Sequence, residues 1–211
     1  QGDDASAADD TPAKGIPWSS LWPVYLTVFL GMILFYVIPV QSPFLMRSLG
    51  AERGLAISSG LIGGTFLAAT ASFFYNRIKV HLYFNQIYAI LFTAIGVGFA
   101  LISLSGSVLT AALSTAIAGL GAGLLMPNTS LCLLSQSSPR NRGRIMSGMT
   151  GAVFLGQFFS PVAFQPLLQV INLQQAHLVA AIFSFAIAGV YVVGLVRIKN
   201  SPLAPLLESY H

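Results

Sequence analysis

The groups in this chain that could do chemistry are few, and they are amides and phenols rather than ions. Gln41, Asn128, Gln157 and Gln165, together with Tyr25 and Tyr36, sit in long stretches from which Asp, Glu, Lys and Arg are missing: Gly15–Met46, Gly54–Asn76, Val80–Pro139 and Ile145–Val196. An amide or phenol can donate and accept hydrogen bonds, but it cannot relay charge, so a charge-paired ion relay cannot be built from this chain alone. In oil such a group is unfavourable unless it is paired. Each therefore faces a neighbouring helix or a watery cavity, and the sequence leaves both open for Tyr36, Gln41, Asn128 and Gln157. Gln165 stands near the end of its stretch. On the first stretch Tyr25, Phe29, Met32 and Tyr36 recur at i, i+4, i+7 and i+11, which makes one aromatic stripe of a helix. His177 is expected at an interface without a special role, and the lone Cys132 excludes an internal disulfide and a cysteine metal site. No cofactor or metal is expected.

The elements that must carry these groups follow from the same absence of charge. Only 8% of residues are charged and 55% are hydrophobic, against about 25% charged in a soluble domain. Crossing a hydrocarbon layer takes about 20 apolar residues as a helix, because every backbone group must bond within its own segment. Two charge-free blocks hold one span each, near Leu21–Phe44 and Leu55–Phe74. The two long blocks hold two each: one breaks at "SLSGS" into Phe84–Ile102 and Val108–Leu134, the other at "INLQQ" into Ile145–Leu168 and Leu178–Val196. The expected fold is all-α and polytopic, with six transmembrane helices. It is flanked by an acidic linker over residues 1–19 and a tail over 200–211, with the bundle at 20–199.

Positive residues near span ends are retained on the cytoplasmic side. Lys14, Arg77, Lys79, Arg140, Arg142, Arg144, Arg197 and Lys199 fall in one set of connections, and only Arg47 and Arg53 in the other. Eight against two places both termini in the cytoplasm of a cell's inner (plasma) membrane. The net charge of +4 is scattered over short connections, which excludes nucleic acid as a partner. The first twenty residues lack the basic start and apolar run of a signal peptide. With Gln at the first position, they suggest the left edge of a cut from something longer.

Small residues recur every four positions in the second helix (Gly60, Gly64, Ala68, Ser72) and the fifth (Gly148, Ala152, Gly156, Ser160). Such ridges let backbones approach closely where lipid offers no hydrophobic drive. The fourth helix is small on nearly all sides through Ala116–Gly123 and should be central and enclosed. Pro39, Pro43, Pro127, Pro161 and Pro166 each remove a backbone bond, and kinked first, fourth and fifth helices would suit a bundle that rocks between two shapes.

"RNRGRIMSGMTGAVFLGQFFSP" (Arg140–Pro161) resembles the cytoplasmic loop and eleventh helix of major facilitator superfamily transporters, and "FYVIPVQSPFLMRSLG" (Phe35–Gly50) is similar to the end of their seventh helix. The likeness covers roughly Trp18–Lys199 and looks closest to bacterial sugar or drug efflux permeases. The family's G-x-x-x-D-R/K-x-G loop aligns with Ser72, Asn76 and Arg77, with Lys79 in place of the second glycine. The resemblance implies the C-terminal six-helix half of a secondary active transporter, itself a three-plus-three inverted repeat, working by alternating access with a missing N-terminal half as partner. It implies that Tyr36, Gln41, Asn128 and Gln157 orient a small solute between walls supplied by Phe29 and Phe154. It gives Asn76 and Arg77 a gating place, and sets Arg140, Arg142 and Arg144 against membrane lipid or the partner bundle. Proton-coupled efflux is the expected mode, its titrating carboxylate lying in the absent half.

Two other readings remain. A self-contained six-helix transporter would work as a homodimer. A rhomboid-type intramembrane hydrolase would need G-x-S-G in one span and a histidine in another, whereas "ISSG" and "IMSG" lack the first glycine. No enzyme activity is expected.

Overall fold

The computed structural model describes residues 18–199, all helical apart from short connections. Six helices follow one another: α1 (Trp18–Ser48), α2 (Arg53–Lys79), α3 (Phe84–Ser103), α4 (Val108–Ser135), α5 (Arg142–Val170) and α6 (Leu173–Lys199), with a single 3₁₀ turn, Pro139–Asn141, before α5. The expected tail and most of the expected acidic linker lie outside the described residues. The shortest helix has 20 residues, which at about 1.5 Å each spans the roughly 30 Å of a hydrocarbon core. Five helices are both long and apolar enough to cross a membrane. The sixth, α2, has the length, 27 residues, but is diluted by small polar residues.

The breaks fall where the polar clusters allow helices to be capped. Ser107 Oγ accepts from the Thr110 backbone N–H at 3.2 Å, and Thr110 Oγ1 accepts from the Ser107 N–H, so α4 starts one residue later. At the other break Asn172 Oδ1 takes the Gln175 N–H at 2.8 Å while Gln175 Oε1 takes the Asn172 N–H. That reciprocal cap starts α6 at Leu173, five residues before the expected span, so most of "INLQQ" belongs to the helix. Arg142 and Arg144 likewise lie inside α5 rather than before it. A change of charge marks where the oil ends, and helices continue past that edge. After α1, Gly50 takes φ +86°, and the N–H groups of Gly50 and Ala51 bond the carbonyls of Arg47 and Met46, a left-handed cap open to glycine.

Packing follows close backbone seams. A Cβ built on Gly119 would stand 2.2 Å from the Gly64 carbonyl oxygen, and one on Gly123 only 2.1 Å from that of Ala68. The α2 and α4 backbones therefore touch. On its other side α4 meets α3, where a Cβ on Gly98 would lie 2.5 Å from the Ala118 nitrogen and one on Gly121 2.5 Å from the Leu91 oxygen. α1 closes a third side, with Gly31 against Leu125. The fourth helix is thus enclosed as its composition predicts. The fifth-helix ridge also serves as a seam: Gly148 lies against Tyr25, Gly156 against Phe29 and Met32, and Ser160 Oγ donates to the Ile33 carbonyl at 2.8 Å. The second-helix ridge departs from strict four-residue spacing, because Ser72 is exposed while Ala71 and Tyr75 are buried; Gly60 falls among residues whose side chains are not described. Its observed seam, 64, 68, 71 and 75, is the mixed three–four spacing of helices that wrap around each other.

The pairs α2–α4 and α1–α5 exchange when helices 1–3 are swapped with 4–6, and α1–α4 and α3–α6 map onto themselves. This is the contact pattern of two three-helix repeats. The symmetry is broken at α3–α4, which is extensive, whereas its counterpart α6–α1 is slight. α1, α4 and α5 run through Pro39, Pro43, Pro127, Pro161 and Pro166 without interruption. The helix bond is missing there, so the carbonyls of Phe35, Pro39, Gly123, Gln157 and Val162 have no i+4 donor.

Replacing Gly119 by Leu should force α2 off α4 and cost about 1–3 kcal/mol or more, read as a fall in detergent thermostability. Gly151→Ala, where a Cβ meets nothing within 4 Å, should leave the melting point unchanged. Equal stability of both variants would contradict the seam.

Candidate functional site: the polar groups of the bundle

Asn128 is fully buried and tied at both ends: Tyr75 Oη donates to its Oδ1 at 3.0 Å, and its Nδ2 donates to the Phe84 carbonyl at 3.2 Å. One amide thus joins α2, α4 and α3. One residue on, Thr129 Oγ1 accepts from Tyr88 Oη at 3.0 Å. The Tyr88 ring stacks on Tyr191 at 4.9 Å between centroids, and the Tyr191 hydroxyl meets Thr27 Oγ1 on α1. Tyr25 Oη closes the belt by donating to the Ile145 carbonyl at 3.0 Å. Every member stands at the end of the bundle that also bears Arg77, Lys79, Arg140, Arg142 and Arg144. We call this the basic end.

Sequence reading singled out Asn128 but missed Tyr75, Tyr88, Thr129, Tyr191 and Thr27. Tyr75 carried a signal, because it continues the Gly64–Ala68–Ala71 face of α2. The others are joined across sequence separations of 41 to 164 residues, which no local pattern encodes.

Gln41 lies on α1 toward the opposite end and is 2% exposed, yet its Nε2 has no hydrogen-bond partner. An unsatisfied buried amide costs about 1–3 kcal/mol, so this donor is poised for a partner that no described residue provides. Gly31 sits level with Leu125. Gln41 is ten residues beyond, about 15 Å along the helix, while Asn128 lies nearly one turn the other way. The two amides therefore do not share one constellation.

Tyr36 and Gln157 are half-buried, and no hydrogen bond ties them to another helix. Of the expected stripe Tyr25, Phe29, Met32 and Tyr36, the first three face α5: Tyr25 and Met32 touch its glycines, and the Phe29 ring meets Phe159 edge-on at 6.0 Å, while the Tyr36 ring meets Phe35 of its own helix. Phe154 is 63% exposed and points away from the bundle. Gln165 is exposed. Asn76 is exposed, and the Arg77 guanidinium lies over the Phe74 ring at 5.5 Å. Lys79 is held back by the Leu82 carbonyl at 3.2 Å and the Phe84 ring at 4.1 Å. Arg140, Arg142 and Arg144 are exposed.

The expected interfacial His177 is instead buried, between the edges of Phe99 and Phe164, with Nδ1 on the Leu173 carbonyl at 2.7 Å. The earlier start of α6 draws it inside. Ser58 and Ser147 each donate to a carbonyl of their own helix, so neither forms a dyad with this histidine. Among the described residues no cluster of His, Cys, Asp or Glu could hold a metal.

The fold is one shared with part of the solved transporter structures of the POT family. A crystal structure of a POT peptide transporter in complex with sulfate matches 92% of this chain with a TM-score of 0.70 at 22% identity. A POT family transporter in complex with 5-aminolevulinic acid matches 91% with a TM-score of 0.73 at 21%. Another, in complex with a thioalcohol-conjugated peptide, matches 85% with a TM-score of 0.72 at 20%. These neighbours are transporters rather than enzymes, and peptide transporters rather than the sugar or drug permeases of the sequence likeness. The chain spans about four tenths of their length, 38% to 41%. No family model and no curated protein sequence matches it. It is a multi-pass membrane protein.

Asn128→Leu and Tyr75→Phe should each lower thermostability. Their coupling in a double-mutant cycle should be about 0.6 kcal/mol, the usual worth of a hydrogen bond between membrane helices. Purely additive effects would show that the 3.0 Å contact contributes nothing.

Proposed function

We propose that this chain is one six-helix half of a secondary transporter that moves a small uncharged or amphipathic solute by alternating access, its missing partner being a second six-helix bundle. The observation that carries the reading is the transporter fold, matched over nine-tenths of the chain, on helices whose buried polar groups are amides, phenols, hydroxyls and one imidazole, with no buried carboxylate or amine among the described residues. In this reading Gln41 donates to the solute, Tyr36 and Gln157 orient it, and Phe29 supplies an apolar wall. Asn128 braces the helices behind them. Phe154 and its exposed neighbours Phe158 and Val162 face the second bundle. The basic end lies in the cytoplasm, as the distribution of Lys and Arg argues. Asn76 and Arg77 then stand at the inner gate.

Glu52, the N-cap residue of α2, is the only carboxylate between residues 18 and 199. A proton-coupled cycle, export included, therefore draws its titrating acid from the second half. The peptide cargo of the structural neighbours makes neutral dipeptides the first solutes to try.

The test is counterflow of radiolabelled neutral dipeptides in proteoliposomes, with this chain alone and together with the six-helix segment that completes it. Counterflow should require both halves. Gln41→Leu should raise KM about tenfold, the equivalent of about 1.4 kcal/mol, without lowering the melting point, since a buried unpaired donor is removed. Equal counterflow by the chain alone, as cross-linked dimers, would favour a homodimer and overturn the reading. An unchanged KM would remove Gln41 from the site.

A further inference from the structure

Three arginines crowd the start of α5, and nothing in the bundle balances them. Arg140, Arg142 and Arg144 are exposed. The only carboxylate among the described residues, Glu52, caps α2 at the opposite end of the molecule. The position compounds the charge, because a helix N-terminus is already positive from its unpaired N–H groups and favours anions. An anionic partner is called for, and the chain carries one. Asp3, Asp4, Asp9 and Asp10 hold four of its six acidic residues, just upstream of α1.

The geometry brings the two together. α1 and α5 run parallel, and Tyr25 Oη bonds the Ile145 carbonyl at 3.0 Å. Trp18, seven residues before Tyr25, therefore stands about 10 Å further toward the basic end, level with the connection that carries Arg140. Asp10 lies eight residues before Trp18, and eight residues reach about 27 Å at most, so the carboxylates are tethered within range of all three guanidinium groups. Exposed Trp18 and Trp22 mark this level as the polar edge of the membrane. Acidic lipid headgroups would compete for the same arginines there. The segment has the advantage of its tether, since a linked partner acts at an effective concentration of roughly millimolar and brings four carboxylates on one stretch of chain.

We infer that the acidic segment Asp3–Asp10 docks on the Arg140–Arg142–Arg144 cluster at the start of α5, as an electrostatic clamp that covers these arginines against anionic lipid. Arg suits the role because its planar fork takes a carboxylate bidentately. The contact lies at the surface, so it is sensitive to salt: the screening length falls from about 10 Å at 0.1 M to about 3 Å at 1 M.

The clamp is tested on the full chain in zwitterionic nanodiscs, with nitroxides on Ala8→Cys and Ser147→Cys in a Cys132→Ser background. A short, narrow distance distribution is expected at low salt. It should broaden and lengthen at about 1 M KCl, and do so equally in the Asp3/Asp4/Asp9/Asp10→Asn variant and in the Arg140/Arg142/Arg144→Gln variant. Both sets of substitutions are outside the seams, so folding is checked by an unchanged melting point. The Asn variant should also retain more phosphatidylglycerol through purification than the wild type. A distribution unaltered by either set of substitutions overturns the proposal. So does equal retention of phosphatidylglycerol by wild type and Asn variant, which would assign the arginines to lipid.

Discussion

Hydrocarbon accepts a helix whose backbone bonds are closed and rejects an unpaired charge, and the rest of this structure depends on that rejection. It confines the arginines and lysines to the connections and the end turns of the helices, leaves four uncharged blocks between them, and turns those blocks into helices of 20 to 31 residues. It also sets the next problem. Lipid tails are as apolar as leucine, so the helices gain nothing by hiding apolar side chains from one another.

The chain solves this by contact rather than by burial. Gly64 and Ala68 lie against Gly119 and Gly123, Gly98 against Ala118, and Gly156 against Phe29 and Met32, so backbone meets backbone along three seams. Dispersion between close-packed atoms and a few hydrogen bonds then hold the bundle. Those bonds gather at the basic end, where Asn128, Thr129, Tyr75, Tyr88, Tyr191 and Thr27 bridge five helices. The opposite end has Gln41 buried with a free donor, and a run of α1 in which Pro39 and Pro43 leave two carbonyls without helix partners. The basic end gathers the hydrogen bonds between helices, with Ser138 Oγ unpaired in its connection, while the other end keeps an unpaired amide donor inside the bundle. A solute with its own donors and acceptors is stabilised only where protein groups are unspent, which is why the proposed site lies on α1 above the belt rather than at Asn128.

The helix count and the two internal breaks were legible in the sequence because charge avoidance is a one-dimensional signal. The starts and ends were less so, since Arg142 and Arg144 lie within α5 and Asn172 caps α6 early. The fifth-helix ridge was read correctly from its four-residue spacing. On α2 the same spacing misled at Ser72, because a 3.6-residue period drifts off a strict repeat of four and the seam follows 68, 71 and 75 instead. The polar belt was illegible for a different reason: Thr27 and Tyr191 are 164 residues apart, and nothing local to either residue announces the other. His177 shows the same limit, since its burial follows from where α6 begins.

The account stands on six crossings whose connections alternate between two ends. Single cysteines at Gly106, Asn172, His81 and Asn141, placed in a Cys132→Ser background, can be labelled with a membrane-impermeant thiol reagent in sealed vesicles of known orientation. Gly106 and Asn172 should react from one side only, and His81 and Asn141 from the other only. Labelling of Gly106 and Asn141 from the same side would contradict the bundle and everything built on it.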